Sequence, residues 1–197
     1  MKYAYWKHNC LLVGKMMSGK TYQTKNLLKS APKDRIIVLD AHANEGTYSK
    51  LCIQENIIAA EKPYNSEWVD KTIKKAYQNY HAVVVFDDID LFIKYPNDCE
   101  SLKDFFIDGR HQELAAIVQS KRPTYLDKRI IQNCRYVFIF KGTLQKDFER
   151  IKYDCNITDN SIDELYAKLN DSDDKEHLFI LIDAGTGKYS LLHNLTR

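Results

Sequence analysis

No Cys-x-x-Cys pair occurs in this chain, although it carries five cysteines, Cys10, Cys52, Cys99, Cys134 and Cys155. An odd count without paired spacing excludes a disulfide framework, argues against structural zinc, and indicates free thiols in a reducing compartment. The first residues, Met1 to Asn9, lack the apolar run of a secretory signal, and no stretch approaches the roughly twenty apolar residues of a membrane span. Charge of either sign is not in excess: 29 Lys and Arg stand against 27 Asp and Glu, a formal net charge of +2. Charge alone therefore does not mark a nucleic-acid binder, and any basic surface must be local. An internal repeat, a low-complexity tract and a segment long enough for a domain linker are all missing. With 197 residues, the chain is expected to form a single domain, 1–197, long enough to bury a core.

What is present is organised around one stretch. Leu11-Leu12-Val13 breaks into Gly14-Lys15-Met16-Met17-Ser18-Gly19-Lys20-Thr21 and continues into the helix-compatible Tyr22 to Leu28. Strand, Gly-x-x-x-x-Gly-Lys-Thr and helix together read as a phosphate-binding P-loop. A nucleoside triphosphate needs backbone N–H groups curled around its oxygens, the positive end of a helix, and one reachable ammonium. The binding segment thus runs from Gly14 through Lys15, Met16, Met17, Ser18 and Gly19 to Lys20, Thr21 and Tyr22. Lys20 is placed to bridge the β- and γ-phosphates, and the Thr21 hydroxyl to ligand Mg²⁺. Met17 stands where such loops commonly have another glycine, which narrows the conformations open to that turn.

Four more apolar runs follow, at Arg35–Asp40, Ala82–Asp87, Leu114–Gln119 and Tyr136–Phe140. Continuous apolarity indicates strands buried on both faces. Helical spacing separates them, as in Trp68 to Tyr77. The expected class is α/β, a P-loop NTPase with a mostly parallel sheet and helices on both faces. Leu178–Asp183, Ala184-Gly185-Thr186-Gly187 and Lys188–Leu192 add a C-terminal β-hairpin. Gly185-Thr186-Gly187-Lys188 echoes a phosphate loop but lacks the spacing and the helix, and reads as a turn. A very polar turn is expected at Asn170 to Lys175. Ligands of parallel sheets bind at the carboxyl ends of the strands, so Asp40, Asp87, Asp88 and Gln119 are candidates for one crevice.

Asp87, closing a buried strand, is the expected partner of Thr21 in holding Mg²⁺. Asp88 is placed to orient and polarise the attacking water, with Asp90 a second candidate. The rival reading of Asp87 to Asp90 is a cap for the following helix. Gln119 is a candidate to contact the γ-phosphate or its water, and Arg110 to serve a neighbouring subunit's phosphate. Either side chain is equally compatible with a solvated or ion-paired role.

Gly14–Thr21, Val83–Asp88, Phe106-Ile107-Asp108-Gly109-Arg110-His111, Val118-Gln119-Ser120 and Asn133–Lys141 together resemble the poxvirus-type genome-packaging ATPases of the FtsK/HerA P-loop superfamily. The resemblance runs from the P-loop to about Lys141. Two departures are Asp88 in place of the usual Glu, and Ile131 where relatives often have Arg, the nearest being Arg129. The resemblance implies an ATP- and Mg²⁺-dependent motor that translocates double-stranded DNA into a preformed capsid. Its implied partners are duplex DNA, capsid or vertex proteins, and other copies of itself in a pentameric or hexameric ring. The implied place of action is the host cytoplasm or virus factory, or the virion itself. Lys20, Asp88, Gln119 and Arg110 become the catalytic set, with Arg129 an alternative trans-acting arginine. A nucleotide-switched scaffold and a small-substrate kinase remain as rivals, while the absence of Asn-Lys-x-Asp disfavours a GTPase. Lys121, Arg122, Lys128, Arg129 and Arg135 form the local basic group that a DNA channel requires. The alternative is a solvated basic loop.

Overall fold

The structure, a computed structural model, describes residues 5–43, 46–96, 98–173 and 177–193. Its strands are β1 (Cys10–Val13), β2 (Ile36–Asp40), β3 (Ile57–Ala59), β4 (Val83–Phe86), β5 (Ala115–Ser120), β6 (Tyr136–Phe140), β7 (Leu178–Asp183) and β8 (Lys188–His193). They form one sheet in the order β3-β2-β4-β5-β1-β6-β7-β8. The first six are parallel, and β7 and β8 add antiparallel to β6 as the expected hairpin. The short edge strand β3 has no counterpart in the sequence reading, because three residues are too few to show a period.

Continuous apolarity has a direct cause here. Along β1, Leu11 and Val13 enter one apolar cluster while Cys10 and Leu12 enter another, and β4 divides Val84 and Phe86 from Val83 and Val85 in the same way. Successive side chains point to opposite faces, and both faces are covered. The coverage is unequal. Five helices, α2 (Ser66–Tyr77), α3 (Glu100–Asp108), α4 (Lys128–Gln132), α5 (Gln145–Asp154) and α6 (Ser161–Asp171), contribute to the first cluster. The second is closed by Leu27 and Leu28 of α1 (Lys20–Leu28), by Trp6, and by Tyr48 and Cys52 from the connection after β2.

Ordering of the six parallel strands puts the ends of β1, β2, β4 and β5 along one rim. The P-loop leaves β1 there, Asp87 leaves β4, and Gln119 and Ser120 finish β5. Register aligns Leu12 with Gln119 and Phe86 with Val118, so residues distant in sequence meet at that rim. Of the expected polar turn, Asn170 and Asp171 close α6 and Ser172 and Asp173 follow it. Asp174 and Lys175 lie outside the described residues. All five cysteines are buried free thiols. Among the described residues no helix is long and apolar enough to cross a membrane.

Candidate nucleotide and metal site

Residues 14–19 turn tightly between β1 and α1. The Gly14 amide donates to the Ser120 carbonyl (3.2 Å), tying the loop to the end of β5. A Cβ at Gly14 would lie 2.7 Å from both the Phe140 Cβ and the Ser18 Oγ, so only glycine lets β1, β6 and the loop pack this closely. Gly19 takes φ 100° and leads into α1 without a side-chain cap, which leaves first-turn N–H groups directed at the loop. Met17 also adopts the left-handed region, φ 61°, with its side chain 97% exposed. The expected conflict is thus realised as backbone strain at a methionine. Lys15, Met16 and Met17 are exposed, and Ser18 and Tyr22 are half-buried.

Lys20 is buried, and its Nζ donates to the carbonyls of Gly14 and Lys15, each at 2.9 Å. Burial lowers its pKa, opposed by the charges of Asp88, Asp90 and Asp87, while Lys121 adds to the lowering. A polyanion bound in the loop would reverse that direction, since it favours the charged ammonium.

The acidic run after β4 separates into three roles. Asp87 is pushed up to about 6, first by burial and then by the charge of Asp88, while a hydrogen bond from Tyr48 opposes the rise. Asp88 holds a left-handed backbone, φ 46°, which Asp tolerates better than most residues. Its carboxylate accepts from Lys121 Nζ at 3.1 Å. Asp90 is engaged in a different way: it accepts from Ser120 Oγ (2.7 Å), the Lys121 amide (2.5 Å) and the Arg122 amide (3.3 Å). Those three donors fasten the chain leaving β5, so Asp90 acts as the tether and Asp88 faces the loop. No carboxylate of the run caps the following turn: Asp88 holds its N-cap position without a side-chain cap hydrogen bond.

Gln119 is completely buried. Its Oε1 accepts from Thr21 Oγ1 (3.2 Å) and its Nε2 donates to Tyr48 Oη (2.8 Å). Both ends of the amide are thus engaged, and Gln119 meets the loop through the Thr21 hydroxyl. Tyr48 and Lys121 are the site residues that sequence reasoning did not place. Lys121 stood in a basic run, and Tyr48 lies in an irregular connection with no motif around it.

Arg110 is not brought into this group. It is exposed on the short 3₁₀ turn Gly109–Gln112, ahead of β5. Gln119 lies at the other end of that strand, roughly 13 Å beyond Ala115 at the usual rise per residue. The basic group also differs from expectation. Lys121 pairs with Asp88, Arg122 approaches Asp147 (3.9 Å), Arg129 pairs with Asp127 (3.0 Å), and Arg135 with Asp183 (2.8 Å). Four of its five members thus face carboxylates of the chain itself; Lys128 is exposed.

Thr21 and Asp87 supply hard oxygen donors, and a half-buried carboxylate with a raised pKa is a group that a cation would relieve. This donor set fits Mg²⁺. The same burial has a consequence for stability. The folded pKa of Asp87, about 6, lies above the ordinary 3.8, so its contribution favours folding below about pH 4 and is lost as pH rises through 6. Near neutrality the ionised carboxylate costs on the order of 3 kcal/mol in the nucleotide-free protein. Asp87→Asn is expected to raise the denaturation midpoint of that form at pH 7.5 and to have little effect at pH 4. Equal midpoints for variant and wild type at pH 7.5 would show that the site carries no such cost.

Sheet order, P-loop and strand-terminal acids define the fold of a P-loop NTPase. No family model matches the chain, and no curated protein matches it in sequence. Among solved structures it is similar to the genome-packaging NTPase B204 of Sulfolobus turreted icosahedral virus 2 in complex with ATPγS. That match has a TM-score of 0.73 at 16% identity and covers 98% of this chain and 99% of the other. B204 of Sulfolobus turreted icosahedral virus, a DNA-packaging ATPase, matches with a TM-score of 0.71 at 16% identity over 97% and 98% of the two chains. The cytoplasmic domain of EssC matches with a TM-score of 0.56 at 13% identity, over 76% of this chain and 34% of that one.

Proposed function

We propose that this protein is an ATP-hydrolysing motor of the viral genome-packaging kind, which moves double-stranded DNA into a preformed capsid. The observation that carries the reading is the convergence of Lys20, Thr21, Asp87 and Asp88 at one rim of the sheet, in a chain that superposes end to end on B204. The poxvirus-type motifs named above, Gly109-Arg110-His111 with the strand-terminal Gln119, support the finer assignment within the superfamily. Its site of action would be the host cytoplasm or virus factory, or the virion.

In this mechanism the loop from Gly14 to Tyr22 wraps the phosphates and Lys20 donates to the β,γ oxygens. Thr21 and Asp87 would hold Mg²⁺, which when bound supplies charge neutralisation on the phosphoryl group. Asp88 accepts the proton of the attacking water, and Lys121, held 3.1 Å away, orients that carboxylate. Phosphate release from ATP and Mg²⁺, measured with and without duplex DNA, tests the reading. Stimulation should be indifferent to base sequence and fall with rising salt, as phosphate contacts do. Nucleotide binding without turnover in either condition would instead favour the scaffold.

Because Arg110 lies away from its own P-loop, its role belongs between neighbouring subunits of a ring. Arg110→Ala is expected to bind nucleotide and fail in turnover, by a factor of about 10³ for a lost arginine finger. Mixed with Lys20→Ala protein it should regain activity, since each mutant supplies what the other lacks. Demonstrated mixed rings with no rescue at any ratio would exclude Arg110 and turn attention to Arg129.

A further inference from the structure

Tyr48 comes from the connection after β2, far in sequence from every residue it serves. Its side chain is 1% exposed and packs in the cluster under α1 with Leu27, Leu28 and Phe138. It accepts from Gln119 Nε2 at 2.8 Å, and its phenol lies close enough to Asp87 for each to shift the other's pKa. Gln119 Oε1 accepts from the Thr21 hydroxyl at 3.2 Å. Two hydrogen bonds and the approach of Tyr48 to Asp87 therefore connect the two side chains that would hold the cation.

The chain has a fixed direction, and chemistry sets it. Gln119 Nε2 donates to the Tyr48 oxygen, so the phenol proton is left to point toward the neighbouring Asp87 carboxylate, which can only accept. Gln119 must then present its NH₂ to Tyr48 and its carbonyl to Thr21. The Thr21 hydroxyl in turn donates to that carbonyl, which leaves its own lone pairs for a cation. Reversing the amide of Gln119 would set NH₂ against the threonine and compete with the metal for those lone pairs.

We propose that Tyr48 is a positioning residue for the metal side of the nucleotide site, orienting Gln119 so that Thr21 offers lone pairs and Asp87 offers its carboxylate to the same cation. This rests on the assignment of Thr21 and Asp87 to Mg²⁺. It also gives Gln119 a route by which to register the bound state, since its amide and the phenol connect the two side chains that would hold the cation.

Tyr48→Phe tests the proposal, because it keeps the ring in the core and removes only the hydroxyl. Binding of a fluorescent ATP analogue is measured in excess EDTA and across a Mg²⁺ titration, alongside the melting temperature without nucleotide. Affinity in EDTA should equal wild type, whereas the Mg²⁺ concentration giving half of the metal-dependent gain should rise about tenfold or more, the usual effect of losing a group that orients a metal ligand. Turnover lost at low Mg²⁺ should return at high Mg²⁺. A second variant, Gln119→Met, breaks the same chain at its centre and should show the same metal-specific loss. The double variant should then be no worse than Gln119→Met alone, since two cuts in one chain do not add. Equal loss in EDTA and in Mg²⁺, an unchanged titration, or additive losses would each overturn the role of Tyr48. Wild-type protein that binds nucleotide no more tightly with Mg²⁺ than in EDTA would overturn the metal assignment itself.

Discussion

Lys20→Ala protein is expected to hydrolyse ATP at least about a hundredfold more slowly than wild type, the scale on which removing one preorganised donor to a developing charge acts. The Lys20 ammonium is buried and held by two loop carbonyls at 2.9 Å, so it needs little reorganisation when phosphate oxygens replace those carbonyls. No neighbour can take its place. Lys121 is committed to Asp88, and the Lys15 side chain is exposed and runs beside Gly142 on the other flank of the loop. Stability should not fall in parallel, because burial already disfavours this ammonium in the nucleotide-free fold. Phosphate release and thermal unfolding, measured on the same preparation, separate the two effects. A folded Lys20→Ala protein with most of the wild-type rate would remove the P-loop from the mechanism.

Asp88→Asn is expected to bind ATP and Mg²⁺ close to wild type while turnover falls by about 10² to 10⁴, the range for a lost general base. Asn fills the same volume, still accepts from Lys121, and tolerates the left-handed backbone that Asp88 adopts. What it loses is the capacity to take a proton from water. Asp87→Asn should show the opposite pattern, with weakened Mg²⁺-dependent binding. Asp90→Asn should mainly loosen the segment after β5, since that carboxylate is occupied by Ser120 and two backbone amides. Binding and turnover, measured separately for each variant, check the assignment. Exchanged phenotypes for Asp87 and Asp88 would exchange their roles.

Some of this organisation is local and therefore readable along the chain. The P-loop is one contiguous segment whose function depends on its own backbone, so Gly14, Gly19, Lys20 and Thr21 announce it without any tertiary information. Buried parallel strands are equally plain, because residues pointing to opposite faces are all apolar, and Tyr136–Phe140 has the limits expected of it. Asp87 was legible for the same reason, as the first charge after such a run.

Other features depend on which strands lie side by side. Nothing in Ser120-Lys121-Arg122 distinguishes a DNA contact from an internal ion pair; the pairing of β4 with β5 puts Lys121 opposite Asp88 and Asp90 under the chain. Spacing alone kept Asp90 as a second candidate beside Asp88, and only the tertiary structure shows its carboxylate occupied by three donors from the end of β5. Arg110 read as part of a catalytic motif, yet it belongs to the amino end of β5 while the P-loop belongs to the carboxyl ends. Tyr48 is the extreme case: an aromatic residue in a connection, without period or motif, which reaches Asp87 and Gln119 only because β2, β4 and β5 are adjacent. Local backbone geometry determined the phosphate cradle from sequence, whereas strand order and register, set by burial of both faces of the sheet, decided which side chains surround it.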